Sequence, residues 1–295
     1  MSYSGNRNKE NNQGAKKTYG KNYSGRNFER EKRTDGVKKN RSDYDEEKRN
    51  FENQRDDIVI GRNAVAEALK SGRPAEYILV EKGEHTGSVI PIIKKCKELG
   101  IPVKEADRKK LDFMCGQSSH QGVILVSSAK EYSTVDDILS SAKDKGEDPF
   151  IVILDKIEDP HNLGAIIRSA EAAGVHGIII PERRSVGLNY TVGKSSAGAL
   201  EYVPVARVAN ITSVIKELKK SGIWIYAADM DGEDYRKVDF SGPCAIVVGS
   251  EGSGISRLVK ENCDKTVSIP MKGKINSLNA SVAASVLMFE AARSR

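Results

Sequence analysis

Ile151-Val152-Ile153-Leu154-Asp155-Lys156-Ile157-Glu158-Asp159-Pro160-His161-Asn162-Leu163-Gly164-Ala165-Ile166-Ile167-Arg168 is the stretch whose reading decides the fold. Its first four residues form a continuous apolar run, as expected of a strand covered on both faces. Leu163, Ile166, Ile167 and Ala170 then follow helical spacing, which predicts a helix to about Ala173, ended by Gly174. The same order repeats downstream. Gly177-Ile178-Ile179-Ile180 reads as the next strand, and further strands are expected at 202–206, 223–228, 244–248 and 266–269. Helices fit 211–220, 256–262 and 279–292. This alternation specifies an α/β fold with a mainly parallel sheet and helices on both faces. Ligands of such sheets sit beyond the carboxyl ends of the strands. The loops that follow strands are therefore the place to look for a site.

Three of those loops carry unusual residues. In the first, Asn162 is placed to cap the helix, and Arg168 falls opposite its apolar stripe. On local pattern alone, simple capping for Asn162 and a solvated helix charge for Arg168 are favoured over a functional role. The second is Val247-Val248-Gly249-Ser250-Glu251-Gly252-Ser253-Gly254-Ile255-Ser256. It lacks the GxGxxG order of a dinucleotide fingerprint and the GK[ST] ending of a phosphate loop. Glu251 would repel phosphate, but would accept hydrogen bonds from a ribose, an amine or backbone N–H groups. The third runs from Ile269-Pro270-Met271 through Ser277-Leu278-Asn279-Ala280-Ser281-Val282-Ala283-Ala284. Asn276 or Ser277 is expected to cap a helix starting near Leu278. The small residues that follow keep one side of that helix slim, for close packing or for a ligand.

Upstream, residues 57–130 read as a smaller α/β unit. Gly61 precedes a helical pattern from Arg62 to Lys70, Tyr77–Val80 and Val123–Val126 read as strands, and a second helix is expected between Ser88 and Leu99. Residues 131–149 open with a short helical pattern, 135–142, and are expected to act as a linker. The first 56 residues hold 15 Lys and Arg against 10 Asp and Glu, a net of +5 out of the chain's +6. They are poor in aliphatics and cannot offset the entropy of ordering, so disorder is expected there. Aromatics among the bases, such as Tyr19 and Phe28, would permit stacking on nucleic acid. A solubilising tail would have the same composition. The four cysteines form no CxxC pair, which argues against a structural zinc site and a disulfide framework. With no apolar run of transmembrane length, a cytoplasmic location is the expectation.

Together the three loops resemble the three signature motifs of the SpoU/TrmH family of RNA ribose 2′-O-methyltransferases. Asp159 to Arg168 is similar to the first motif, Gly249 to Ile255 to the second, and Ile269 to Ala283 to the third. Gly61-Arg62-Asn63-Ala64-Val65 and the turn His120-Gln121-Gly122 resemble the family's smaller substrate-binding domain. The resemblance implies a knotted catalytic domain at 150–295, S-adenosyl-L-methionine as cofactor, an RNA substrate and a homodimer formed through the catalytic domain. It implies no metal and no membrane. It implies catalytic roles for Asn162, Arg168, Glu251 and Asn279 and cofactor contacts at Gly249, Ile269, Met271 and Leu278. It implies RNA contacts at Arg62, Asn63, His120 and Gln121. The two-domain layout is most like the branch that methylates a guanosine of 23S rRNA. The same reaction on tRNA, or non-catalytic RNA binding at the ribosome, are the alternatives. In the family Arg168 would be the base, yet a guanidinium stays protonated in proteins. Positioning a phosphate or a developing alkoxide suits it better.

Overall fold

The computed structural model describes residues 57–116 and 119–295. The tail expected at 1–56, and Gln117 and Ser118, lie outside the described residues.

The smaller unit is built from β1 (Ile58–Ile60), α1 (Arg62–Lys70), β2 (Ala75–Glu81), α2 (Val89–Glu98), β3 (Val103–Ala106), α3 (Arg108–Met114) and β4 (Val123–Ser127). Its sheet runs β1-β4-β2-β3, with β4 antiparallel to both neighbours and β2 parallel to β3. Val65 and Leu69 of α1 and Ile92 and Cys96 of α2 pack on one face against Ile78, Val80, Val123 and Leu125. Leu111 and Cys115, from α3 and its end, cover the other face. β1 and α3 had no expectation in the sequence. Three residues are too few to show an alternating period, and α3 opens on Arg108-Lys109-Lys110.

The segment 131–149, expected to be a linker, is largely helix. Helix α4 (Val135–Lys145) starts on a capping box between Thr134 and Asp137 and ends at Gly146 in the left-handed region. Its Ile138 is wholly buried against Ile151, Ile153 and Ile179 of the large sheet.

The larger unit continues with β5 (Phe150–Asp155), α5 (Pro160–Ala172), β6 (Gly177–Pro181), α6 (Tyr190–Ser195), a 3₁₀ turn (Ala199–Glu201), β7 (Val205–Val208) and α7 (Ile211–Lys220). Then come β8 (Trp224–Asp234), β9 (Cys244–Gly249), α8 (Arg257–Asn262), β10 (Lys265–Ser268) and α9 (Ala280–Arg293). The sheet order is β10-β8-β9-β5-β6-β7, and every pairing is parallel. On one face Leu163, Ile166 and Ile167 of α5 and Ala284, Leu287 and Met288 of α9 pack on Val152, Leu154 and Ile246. On the other, Ile215 and Leu218 of α7 and Val259 of α8 join α4 over Ile151, Ile153 and Val247. Both faces are dry, which is why β5 reads as an unbroken apolar run.

Two helix starts differ from expectation. Asp159, not Asn162, caps α5; its carboxylate accepts from the His161 N–H, and Pro160 takes the first helical position, where a missing N–H costs nothing. Asn279, not Ser277 or Asn276, caps α9, accepting from the N–H groups of Ser281 and Val282. At α5 this leaves the Asn162 side chain free of the cap, whereas at α9 Asn279 caps through Oδ1 and keeps Nδ2 for other partners.

Candidate active site

The carboxyl ends of β5 and β9 lie side by side, with Asp155 paired to Gly249. Buried Asp155 accepts from the Ser256 N–H at 2.6 Å, which closes the glycine loop onto β5. A Cβ on Gly249 would stand 2.2 Å from the Gly254 carbonyl carbon, so only glycine lets this loop fold back on its own strand.

That fold brings Glu251 to Asn162 and Asn279. One Glu251 oxygen, Oε1, accepts from Asn162 Nδ2 at 2.6 Å, Asn279 Nδ2 at 3.0 Å and the Ala280 N–H at 3.3 Å. Asn279 Nδ2 also reaches Asn162 Oδ1 at 2.9 Å, closing a triangle from three loops, while Asn279 Oδ1 stays on the α9 cap. The carboxylate thus lies at the N-terminus of a 14-residue helix, where the helix dipole favours negative charge. Asn162 is buried, whereas Glu251 and Asn279 are exposed and reach solvent.

Beside the triangle lies a cavity of about 350 Å³. Its lining includes Gly249, Glu251, Ile269, Met271 and Leu278, together with Ala280, Ala283 and Leu287 of α9. The residues expected to hold a cofactor are therefore brought together at one cavity. Among the described residues no Lys or Arg lines it, and Asp229 and Glu251 are the charged ones that do. This chemistry repels phosphate and tolerates a cation beside an apolar ring. The small residues at 280 and 283 serve as a cavity wall.

Ala228, Asp229 and Met230 also line the cavity and went unnoticed in the sequence. They belong to a bend in β8, where the pairing with β10 jumps from Ala227 to Glu233. The Lys260 ammonium on α8 holds this bend, reaching Asp229 Oδ2 at 2.9 Å and Asp231 Oδ1 at 2.7 Å. That contact keeps the Asp231 carboxyl below the usual carboxylate range. The only signal would have been position: Asp229-Met230-Asp231-Gly232 follows a strand, as the other loops do.

Arg168 is not part of this assembly. It is exposed on α5, six residues beyond Asn162, and does not line the cavity. The expected RNA contacts also divide. His120 is buried and both ring nitrogens are engaged, Nδ1 accepting from the Gly122 N–H at 2.9 Å and Nε2 facing Asp112 Oδ1 at 3.1 Å. Gln121 accepts from the Arg62 N–H through Oε1 and from Arg62 Nε through its carbonyl, both at 2.9 Å. Asn63 is exposed beside them. These residues build a turn; Asn63 and the outer edges of Arg62 and Gln121 are what it presents.

Among the described residues no group of three or more His, Cys, Asp and Glu side chains is placed to hold a metal ion. No helix there is long and apolar enough to cross a membrane.

Residues 149–289 match the SpoU rRNA Methylase family, and residues 58–133 match the RNA 2′-O ribose methyltransferase substrate binding family. YacO of Bacillus subtilis, assigned to the TrmH family of tRNA/rRNA methyltransferases, is 49% identical over 243 residues, covering 82% of this chain and 97% of that protein. The SpoU methyltransferase AviRb from Streptomyces viridochromogenes, solved with AdoMet, superposes with a TM-score of 0.66 at 27% identity, over 80% of this chain and 89% of that one. An AdoMet-bound rRNA methyltransferase from Sinorhizobium meliloti gives 0.67 at 27% identity, over 80% and 86%. Motif order, the three-loop triangle and these matches agree, and the chain belongs to the SpoU/TrmH family of RNA ribose 2′-O-methyltransferases.

Proposed function

We propose that this protein methylates the ribose 2′-hydroxyl of a guanosine in 23S rRNA, with S-adenosyl-L-methionine as donor. The observation that carries the reaction is the triangle of Asn162, Glu251 and Asn279 at the mouth of an apolar cavity free of basic side chains. Ile269 and Leu278, apolar residues of the cavity wall, would hold the adenine, Gly249 would allow close backbone approach, and Glu251 and Asp229 would suit a positively charged donor. S-adenosyl-L-methionine supplies an electrophilic methyl group on sulfur when bound. Asn162 and Asn279 orient Glu251 and leave its second oxygen to accept from a ribose hydroxyl. Holding the reacting groups in line is worth up to about 7–11 kcal/mol of barrier. Arg168, exposed on α5, pairs through its guanidinium with an RNA phosphate or the developing alkoxide.

Three further features belong to this reading. The catalytic domain is threaded as a knot; what supports this is the break in β8 pairing at 228–232, where the β10 backbone lies so close to Gly232 that a Cβ there would stand 2.5 Å from Val267 N, and Ser268 Oγ donates to the Gly232 carbonyl at 2.8 Å. It forms a homodimer through α9, whose Val282 and Phe289, two turns apart on one face, are both about half exposed. The chain is read as a tail at 1–56, an RNA-binding domain at 57–130 and a catalytic domain at 150–295, with RNA contacts at Arg62, Asn63 and Gln121. The S. meliloti rRNA enzyme, similar over both domains, favours rRNA over tRNA.

Labelled methyl transfer to 23S rRNA fragments and to tRNA, followed by 2′-O-methyl mapping, tests the proposal. Label on a 23S guanosine is the expected result. Label on tRNA alone would move the substrate, and RNA binding without label would leave only a binding protein.

A further inference from the structure

The two domains meet at a polar joint that no step of the chemistry uses. Glu201, in the 3₁₀ turn after α6, has only 4% of its side chain exposed. It accepts from Arg73 at 2.9 Å through Oε1 and from Lys130 at 3.3 Å through Oε2, and both cations belong to the small domain. Arg73 is itself 91% covered and also donates to the Ser128 carbonyl at 2.7 Å. Beside this centre, Tyr202 donates to Glu67 Oε2 at 2.6 Å, and that carboxylate pushes the Tyr202 hydroxyl up to about 12. Gly198 has φ +98°, and a Cβ there would stand 2.6 Å from Glu67 Cβ, so α1 rests on the catalytic domain's backbone. Tyr190 of α6 is buried within the small domain's second core, among Ile58, Leu111 and Ile124.

The joint is wired to the active site over a short path. Ser195, at the end of α6, meets His161 Nδ1 at 3.1 Å, and His161 precedes Asn162 on α5. The Asn63 carbonyl of the RNA turn lies 3.5 Å from the Cβ position of Gly198. A swinging tether would not bury the Arg73–Glu201 pair or lend a tyrosine to the other domain's core.

We propose that Glu201 is a positioning residue that locks the substrate-binding domain onto the catalytic domain, so that RNA is gripped over a fixed span between the Arg62–Gln121 turn and the Asn162 triangle. The functional half of this statement rests on the RNA-methylation reading; the mechanical half does not. Removing one member of a buried ion cluster leaves uncompensated charge, whereas replacing both partners by apolar side chains does not.

The test uses spin labels on Lys94→Cys and Glu217→Cys in a Cys263→Ser background, and reads the distance distribution of the full chain. One narrow distance is expected in the parent, a broad one in Glu201→Gln, and a narrow one again in Arg73→Met/Lys130→Met/Glu201→Met, which removes all three charges. On RNA long enough to touch both domains, Glu201→Gln should lose about tenfold in kcat/KM through KM, because the second contact is no longer at a fixed effective concentration. Short RNA fragments and cofactor affinity should be unaffected. If Glu201→Gln does not fold, Lys130→Met/Tyr202→Phe must show a partial broadening. A broad parent distribution, or a narrow one in every variant, overturns the lock. A narrow parent that methylates no RNA sinks the methylation reading and leaves the lock standing.

Discussion

Two polar clusters stand out in this molecule, and they use the same residue types to opposite ends. In the His120–Gln121–Arg62 turn the hydrogen-bonding groups point back into the fold, and the central imidazole is buried. In the Asn162–Glu251–Asn279 triangle the partners orient one another while the carboxylate stays at an open cavity. The first cluster spends its polarity on building a turn. The second gathers its bonds on Glu251 Oε1 and leaves the carboxylate at the cavity, where the proposed reaction would use it. A polar residue in a motif is thus available for chemistry only to the extent that its own fold leaves it unused.

Breaking the triangle should have the largest effect. Glu251→Ala is expected to slow single-turnover methyl transfer by about 10²–10³, the range for losing one preorganised polar group. Activity within threefold of the parent would erase the contrast between the clusters. Asn279→Asp should sharpen it next. The new carboxylate can still cap α9, but its second oxygen faces Glu251 Oε1 and Asn162 Oδ1, acceptor to acceptor, so thermal stability should fall as well. Its donors to Glu251 and Asn162 are gone, and the rate should fall by about 10². Asn279→Ala should in addition lose about 1 kcal/mol of stability in denaturant titration.

Gly249→Ala tests the loop that carries the triangle. The added methyl meets the Gly254 backbone, and overpacking of this kind costs about 1–3 kcal/mol. Calorimetric titration should show weaker cofactor binding in parallel; unchanged binding would mean that the loop adapts. His120→Ala should cost about 1–2 kcal/mol through the unpaired Gly122 N–H and Asp112. RNA affinity per folded molecule should not change, and a selective loss of RNA binding would return His120 to the interface.

The smallest effect is a pH dependence far from both clusters. His176 is buried under β5, accepting from the Phe150 N–H and facing Glu147, and burial pushes its imidazole below the usual value. The unfolded chain therefore takes up this proton first, near pH 6.5. Stability contributed by the neutral ring is present above that pH and is lost as pH falls toward the lower folded value. Denaturant titrations of His176→Gln between pH 7.5 and 5 should show a flatter slope than the parent; equal slopes would place the pH dependence elsewhere.

The parallel sheet was legible because β5 and β9 are apolar throughout and each following helix shows its own stripe. Helix α7 has the bounds that its spacing predicts, 211–220. The bend of β8 was not legible. Asp229 to Gly232 looks like an ordinary strand-ending loop, and its place against the cavity depends on Lys260, some thirty residues away. The caps of α5 and α9 were misplaced for a related reason. Several Asx and Ser residues compete for each cap, and the winner is decided by where the loop comes from.

By itself the sequence determined the α/β alternation, the three loops and, through their resemblance, the family. Periodicity and backbone chemistry are local, so they survive in a one-dimensional string. Tertiary structure alone decided that Glu251 serves two asparagines from two other loops, that His120 is spent on its turn while Asn63 is not, and that Glu201 joins two domains. The longest bonds behind these outcomes join Arg62 to Gln121, 59 residues apart, Asn162 to Glu251, 89 apart, Asn162 to Asn279, 117 apart, and Arg73 to Glu201, 128 apart. Contacts of that kind leave no period for a sequence to show.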